Sequence, residues 1–172
     1  AMKLAKKAGM NVRQVITGEE IQYDPNGEDN QRGLAGAVAL YHVAAAAAAA
    51  GKTLDEVADI AQKYADNMAS VTVKVTDATH PQNGMSFGDL QDTDLMEIGA
   101  GQHGEGGGVR VPMLSSKETV AAIAKPLMEK IGLKAGDKAF AMINGCGATT
   151  MMEMLVLYKD TCLLYTSPSP RD

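Results

Sequence analysis

This sequence predicts an α/β fold, and three observations carry that expectation. Stretches with helical periodicity alternate with short β-branched or alternating stretches along the chain, the pattern of mixed α/β layers. Three helix starts are written explicitly: Thr53 with Glu56, Ser115 with Glu118 and Thr150 with Glu153 each form a capping box. In such a box the hydroxyl and the carboxylate each satisfy a backbone N–H of the other's residue. Apolar residues make up 45% of the 172 and charged residues 22%, enough for a core of ordinary globular kind.

Taken in order, residues 1–8 read as the last turns of a helix stopped by Gly9. A helix that opens the chain uncapped leads to the expectation of lost upstream sequence. Residues 12–17 have strand composition, and 18–30, with Asp24-Pro25-Asn26-Gly27, form a polar loop with a turn. Alanine, the strongest helix former, dominates 33–50, and Gly51 ends that helix. Beyond Thr53, Leu54, Val57, Ala58, Ala61, Tyr64, Ala65 and Met68 recur at spacings of three and four, one stripe of a helix. Residues 71–76 alternate as a strand. Residues 77–94 are irregular, with Pro81 and Asn83-Gly84 as turn signals, and 95–98 form a short strand. Pro112 closes the glycine-rich region that follows.

Ser115 opens a helix with the stripe Val120, Ile123, Ala124, Leu127, Met128 and Ile131, which Pro126 should kink or shorten. Residues 139–143 read as a buried strand, 144–147 as a tight turn, and Thr150 opens the last helix. From 163 onward periodicity stops and Pro168 and Pro170 appear; the segment resembles translated sequencing-adapter sequence. Residues 161–172 are therefore read as a non-native tail.

Composition argues against several functions. A net charge of −5 with no Lys/Arg cluster leaves no nucleic-acid footprint. The most apolar run, 35–50, is mostly alanine and too short for a bilayer, so no membrane partner is expected. Residues 1–9 are basic but lack the apolar core of a signal peptide. Cys146 and Cys162 have neither zinc-site nor disulfide-framework spacing, which suits a reducing cytoplasm.

The chemistry gathers in 96–108, where His103 sits among glycines at 99, 101, 104 and 106–108. Gly99 to Gly104 satisfies G-x-G-x-x-G, yet a dinucleotide loop needs a helix starting at the third glycine. Glu105 followed by Gly106-Gly107-Gly108 starts no stable helix, and the acid repels phosphate. No G-x-x-x-x-G-K-[ST] loop occurs either, so no cofactor is expected on this chain. His42, His80 and His103 share no ligand spacing, and no metal site is expected. His42 reads as a helix-face residue and His80, beside Pro81, as a loop residue. His103 is then either incidental to a flexible glycine loop or a nucleophile. A neutral imidazole nitrogen can attack a ketone or aldehyde carbonyl while a carboxylate orients the ring. Glu97 and Glu105 are the candidate carboxylates, or plain surface charges, and Gly101 and Gly104 keep the approach open.

Met96-Glu97-x-Gly99-x-Gly101-x-His103-Gly104-Glu105 resembles the signature of the substrate-binding subunit of dihydroxyacetone kinases. Arg32-Gly33-Leu34-Ala35-Gly36, Thr79-His80-Pro81 and Asn144-Gly145-Cys146-Gly147-Ala148-Thr149 with Glu153 match further pieces in the family's order. The resemblance runs over nearly all of 1–160. It implies that His103 forms a hemiaminal with the dihydroxyacetone carbonyl, with Glu97, Gly101, Gly104 and Glu105 in support. It also implies a partner subunit or domain that holds ATP or ADP with Mg, a homodimer of the full-length parent and a cytoplasmic protein. The donor is ATP directly or a phosphotransferase relay, and the substrate dihydroxyacetone or a longer ketose.

On that resemblance, residues 1–69 are the C-terminal part of a first α/β domain and 70–160 a truncated second one. The family's earlier glycine-rich loop with a second histidine, its catalytic aspartate and the end of its second domain have no counterpart here. The fragment alone is therefore expected to be inactive. Glu19-Glu20 stand where relatives often have paired aspartates, Gln31 replaces a frequent arginine, and Gln102 and Gly106 stand where many carry Ile and Pro. The alternative reading is a regulator of the same family that binds dihydroxyacetone without phosphorylating it.

Overall fold

The computed structural model of the chain describes residues 2–21, 32–90, 94–101 and 108–166. They fall into two compact units, one drawn from Ala1–Glu20 and Asn30–Ser70, the other from Ile21–Asp29 and Val71–Asp172. Helices and strands mix along the chain, as predicted.

The first unit holds α1 (Met2–Lys7), α2 (Gly36–Ala49) and α3 (Leu54–Asp66). The Thr53 capping box forms in full: Thr53 Oγ1 accepts the Glu56 N–H, and Glu56 Oε2 accepts the Thr53 N–H at 2.8 Å. α2 and α3 pack together, and α3 buries Ala58, Ala61 and Ala65 from the predicted stripe. Leu54, at the first helical position, is exposed instead. Gly36 packs closely here, since a Cβ on it would sit 2.5 Å from Met68 Sδ. Residues 12–17 do not form the expected strand. A strand exists only as a ladder with a partner, and the nearest pairing is a single parallel bridge between Glu20 and Ser70.

The second unit holds β1 (Val73–Lys74), β2 (Leu95–Ile98), β3 (Val109–Pro112), α4 (Ser116–Ile131) and α5 (Met151–Thr166). The three strands form one antiparallel sheet in the order β1-β2-β3. Val73 pairs with Ile98 and Ile98 with Val109; Lys74 pairs with Glu97 and Glu97 with Arg110. Because side chains alternate across a strand, Val73, Met96, Ile98, Val109 and Val111 share one face. Lys74, Glu97 and Arg110 share the other. Met96 and Ile98 are buried.

α4 starts at its Ser115 capping box and runs unbroken through Pro126, so the predicted shortening does not occur. Thr119, Val120 and Ala124 are buried along it. Gly132, at φ +65°, closes the helix, and Leu133 N–H donates to Met128 O at 2.9 Å. Residues 139–143 depart from the expected buried strand: they have no partner strand among the described residues, and Phe140 is 76% exposed. α5 packs against α4 and continues through Thr166, beyond the expected end of regular structure near Asp160. Among the described residues no helix is long and apolar enough to cross a membrane.

Candidate functional site

The stem of the glycine loop is the best-built polar site of the second unit. β2 and β3 pair to the ends of the segment 99–108, with Ile98 opposite Val109. Gly99 takes φ +92°, a left-handed conformation that favours glycine, and its N–H donates to Thr72 O at 2.8 Å. Ala100 and Gly101 are buried. Gly108 closes the stem at a position where no side chain fits. A Cβ there would lie 2.6 Å from Ile98 O, 2.8 Å from Glu97 Cγ and 2.9 Å from Ala100 N. His103, Gly104 and Glu105, three of the predicted site residues, lie outside the described residues.

Glu97 lies within them, and its side chain is only 6% exposed. It faces Lys74, whose Nζ is 3.2 Å from Glu97 Oε2 and 3.0 Å from Asp77 Oδ1. Asp77 is 2% exposed, and its Oδ2 accepts the Leu90 N–H at 2.6 Å. Gly88 packs so closely that a Cβ would meet Asp77 Oδ1 at 2.6 Å. One cation thus joins two buried carboxylates from two different segments. Burial works against the Lys74 charge, but hydrogen bonds to Asp77 and Glu97 outweigh it and hold the ammonium above the ordinary lysine pKa. Arg110, across from Glu97 on β3, forms an ion pair with Asp89 at the exposed rim, and that pair holds the Asp89 carboxyl below its usual range.

Sequence reading named Glu97 but not Lys74 or Asp77. The available signal was a lysine inside the apolar alternation of 71–76, a position where a charge requires a partner. Glu97 shares its carboxylate with Lys74. His80 belongs to a separate turn: its Nδ1 accepts the Gln82 N–H at 3.3 Å, and its ring lies 5.1 Å from that of Phe87. His42 is exposed on α2. Among the described residues no group of three His, Cys, Asp or Glu side chains could hold a metal ion.

The first unit carries a second buried polar cluster that composition did not reveal. Glu19 and Glu20 are both buried. Arg32 Nε donates to Glu20 Oε2 at 2.6 Å, and the two residues also form an ion pair. Glu19 Oε1 accepts the Leu34 N–H at 2.6 Å, just ahead of α2.

The Dak1 domain family model matches residues 1–167. The chain belongs to that family. It is 31% identical over 167 residues to the dihydroxyacetone-binding subunit of a phosphotransferase-system-dependent dihydroxyacetone kinase from Lactococcus lactis, covering 96% of this chain and 50% of the relative. It is 34% identical over 165 residues to the corresponding subunit of kinase 1 from Listeria innocua, covering 93% and 49%. A coactivator of the DhaKLM operon from Lactococcus lactis is 28% identical over 168 residues, covering 95% and 50%. Among solved structures, the dihydroxyacetone kinase of C. freundii in its native form superposes with a TM-score of 0.83 at 26% identity, covering 94% of this chain and 29% of that one. The same kinase in complex with AMP-PNP and Mg2+ gives 0.75 at 26% identity, covering 96% and 29%. The chain spans about half the length of the curated relatives it matches.

Proposed function

We propose that this chain is part of the ketose-binding subunit of a dihydroxyacetone-type kinase, with His103 as the residue that captures the substrate. The supporting observation is a Dak1 match that spans the glycine loop, whose stem is the paired base of β2 and β3, buried on the β2 side. The neutral imidazole nitrogen adds its lone pair to the ketone carbon. The carbonyl electron pair moves to oxygen, which takes up a proton as the other ring nitrogen releases its own, so no atom is lost. A substrate this small offers little non-covalent affinity, and a carbonyl adduct also rejects glycerol, which has no carbonyl. A terminal hydroxyl of the trapped ketose remains free to accept phosphate.

The nucleotide and Mg belong on a partner subunit or domain, in keeping with a related kinase solved with AMP-PNP and Mg2+. In this reading 1–69 ends a first domain, 70–160 begins a second, and the full-length protein pairs as a homodimer. Cys146 and Cys162 are free thiols, which suits the cytoplasm. A regulator that binds dihydroxyacetone without phosphorylating it is the second reading, favoured by the relative named as an operon coactivator.

Intact-mass spectrometry of the full-length protein carrying this chain tests the proposal. Wild type should gain the whole mass of one dihydroxyacetone and His103→Ala should not. Adduct formation with phosphoryl transfer to the ketose supports the kinase, and adduct formation without transfer supports the regulator.

A further inference from the structure

We propose that Asn144 is a site of spontaneous covalent modification, where the side chain closes on the Gly145 nitrogen to a cyclic imide that opens to aspartate or isoaspartate. The sequence holds three Asn-Gly pairs, Asn26-Gly27, Asn83-Gly84 and Asn144-Gly145. A following glycine favours ring closure because it has no Cβ to crowd the approach. Asn26-Gly27 lies outside the described residues. The other two pairs are both exposed, so burial does not separate them. Hydrogen bonding does. The Gly84 N–H, the nucleophile at Asn83, donates to His80 O at 2.9 Å, and Asn83 Oδ1 accepts the Met85 N–H at 3.0 Å. Both reacting groups are thus tied down within one turn, which the Thr79–Ser86 bridge closes. At the other pair, the Gly145 N–H has no acceptor among the described residues. Asn144 Nδ2 makes only contacts at the outer limit of hydrogen bonding, 3.4 Å to Gly145 O and 3.9 Å to Cys146 Sγ.

In the first step the Gly145 nitrogen gives up its proton and bonds to Asn144 Cγ. The Cγ–Nδ2 bond breaks, and that nitrogen takes up a proton and leaves as ammonia. Water then opens the imide at one of its two carbonyl carbons. Opening at Cγ breaks the new bond and leaves aspartate on an unchanged main chain. Opening at the main-chain carbon of residue 144 leaves isoaspartate, with the chain routed through the side chain and one methylene longer. Either product places a carboxylate in the turn that leads to the Thr150 capping box and α5. That turn already lies close against α5, since a Cβ on Gly145 would sit 2.7 Å from Met154 Sδ. A lengthened main chain there has to move off the helix.

The test is a time course on the full-length protein carrying this chain, held folded in mildly alkaline buffer and then digested with trypsin. Lys74 and Arg110 bracket Asn83, and Lys138 and Lys159 bracket Asn144, so mass spectrometry reads the two conversions on separate peptides. Each hydrogen bond that must open holds back the reactive form by roughly two- to tenfold. With two such bonds at Asn83, conversion at Asn144 should run about tenfold faster in the folded protein. In denaturant both sites lose their surroundings, and the two rates should converge. Asn144→Gln, whose longer side chain closes a larger and slower-forming ring, should suppress conversion in its own peptide and leave the Asn83 peptide unchanged. Equal rates in the folded protein, or faster conversion at Asn83, overturn the proposal. So does conversion of the Asn144→Gln peptide at the wild-type rate. A rate difference that persists undiminished in denaturant also overturns it, because the folded structure would then not be its source.

Discussion

Glu19 pins the backbone just ahead of α2: its Oε1 accepts the Leu34 N–H at 2.6 Å, while the residue at the N-cap itself, Ala35, offers no side-chain acceptor. The carboxylate is buried, and its Oε2 has no hydrogen-bond partner among the described residues. Glu19→Ala should strand the Leu34 N–H and lower stability by about 1–3 kcal/mol. Glu19→Gln keeps a carbonyl acceptor and should cost less. Urea unfolding of both variants checks the ranking; an alanine variant as stable as wild type would mean that the N–H finds another acceptor.

The capping boxes predict a local and separable effect. Thr53→Ala removes the acceptor for the Glu56 N–H at the start of α3 and should cost about 1 kcal/mol. Circular dichroism during denaturation reads this directly. A change of less than a few tenths would show that α3 is held by packing alone.

Stability should depend on pH at both ends of the scale. Backbone and side-chain hydrogen bonds from Thr53 lower the Glu56 pKa, side-chain and backbone bonds from Ser115 lower that of Glu118, and backbone and side-chain bonds from Thr150 lower that of Glu153. A carboxylate whose folded pKa is depressed stabilises above its unfolded value, here near 4.5, and loses that contribution as pH falls through the folded value. Lys74 has the opposite sign. Its raised pKa stabilises below 10.5 and is lost as pH rises through the folded value. Thermal midpoints should therefore decline below about pH 4.5 and above about pH 10.5. In Lys74→Met, the portion of the alkaline decline due to Lys74 should vanish.

Pro126 sits inside α4, where it leaves the Ala122 carbonyl without its helical donor. Pro126→Ala should restore that bond and raise stability by about 1–3 kcal/mol, measured by urea unfolding. A loss of stability would show that the proline ring fills space that alanine cannot.

Gly108→Ala should damage the loop stem, since the added methyl meets backbone at Ile98 O and Ala100 N. The expected cost is about 1–3 kcal/mol, with weaker ketose capture. Calorimetric titration with dihydroxyacetone, run beside thermal unfolding, checks both.

What could be read from the sequence was local. The helices around Thr53, Ser115 and Thr150 each begin at a capping box four residues long, and β2 follows from its apolar run. Strand composition misled at 12–17 and 139–143, because a strand is made by a partner that composition does not supply. β3 was missed because the glycines before it masked the Val109-Arg110-Val111 alternation. The glycine loop itself was legible from its residues. Its support was not: Lys74, Asp77 and Glu97 meet only through sheet register and the return of residues 88–90. Likewise, Glu20 finds Arg32 only after the chain returns.

The most direct test of the central claim is a crystal structure of the full-length protein carrying this chain, soaked with dihydroxyacetone. The account predicts continuous density between a ring nitrogen of His103 and the ketose carbonyl carbon, with that carbon tetrahedral. His103→Ala crystals under the same soak should show no such bond. A ketose bound without any bond to His103, or bound equally well in His103→Ala, would contradict the claim.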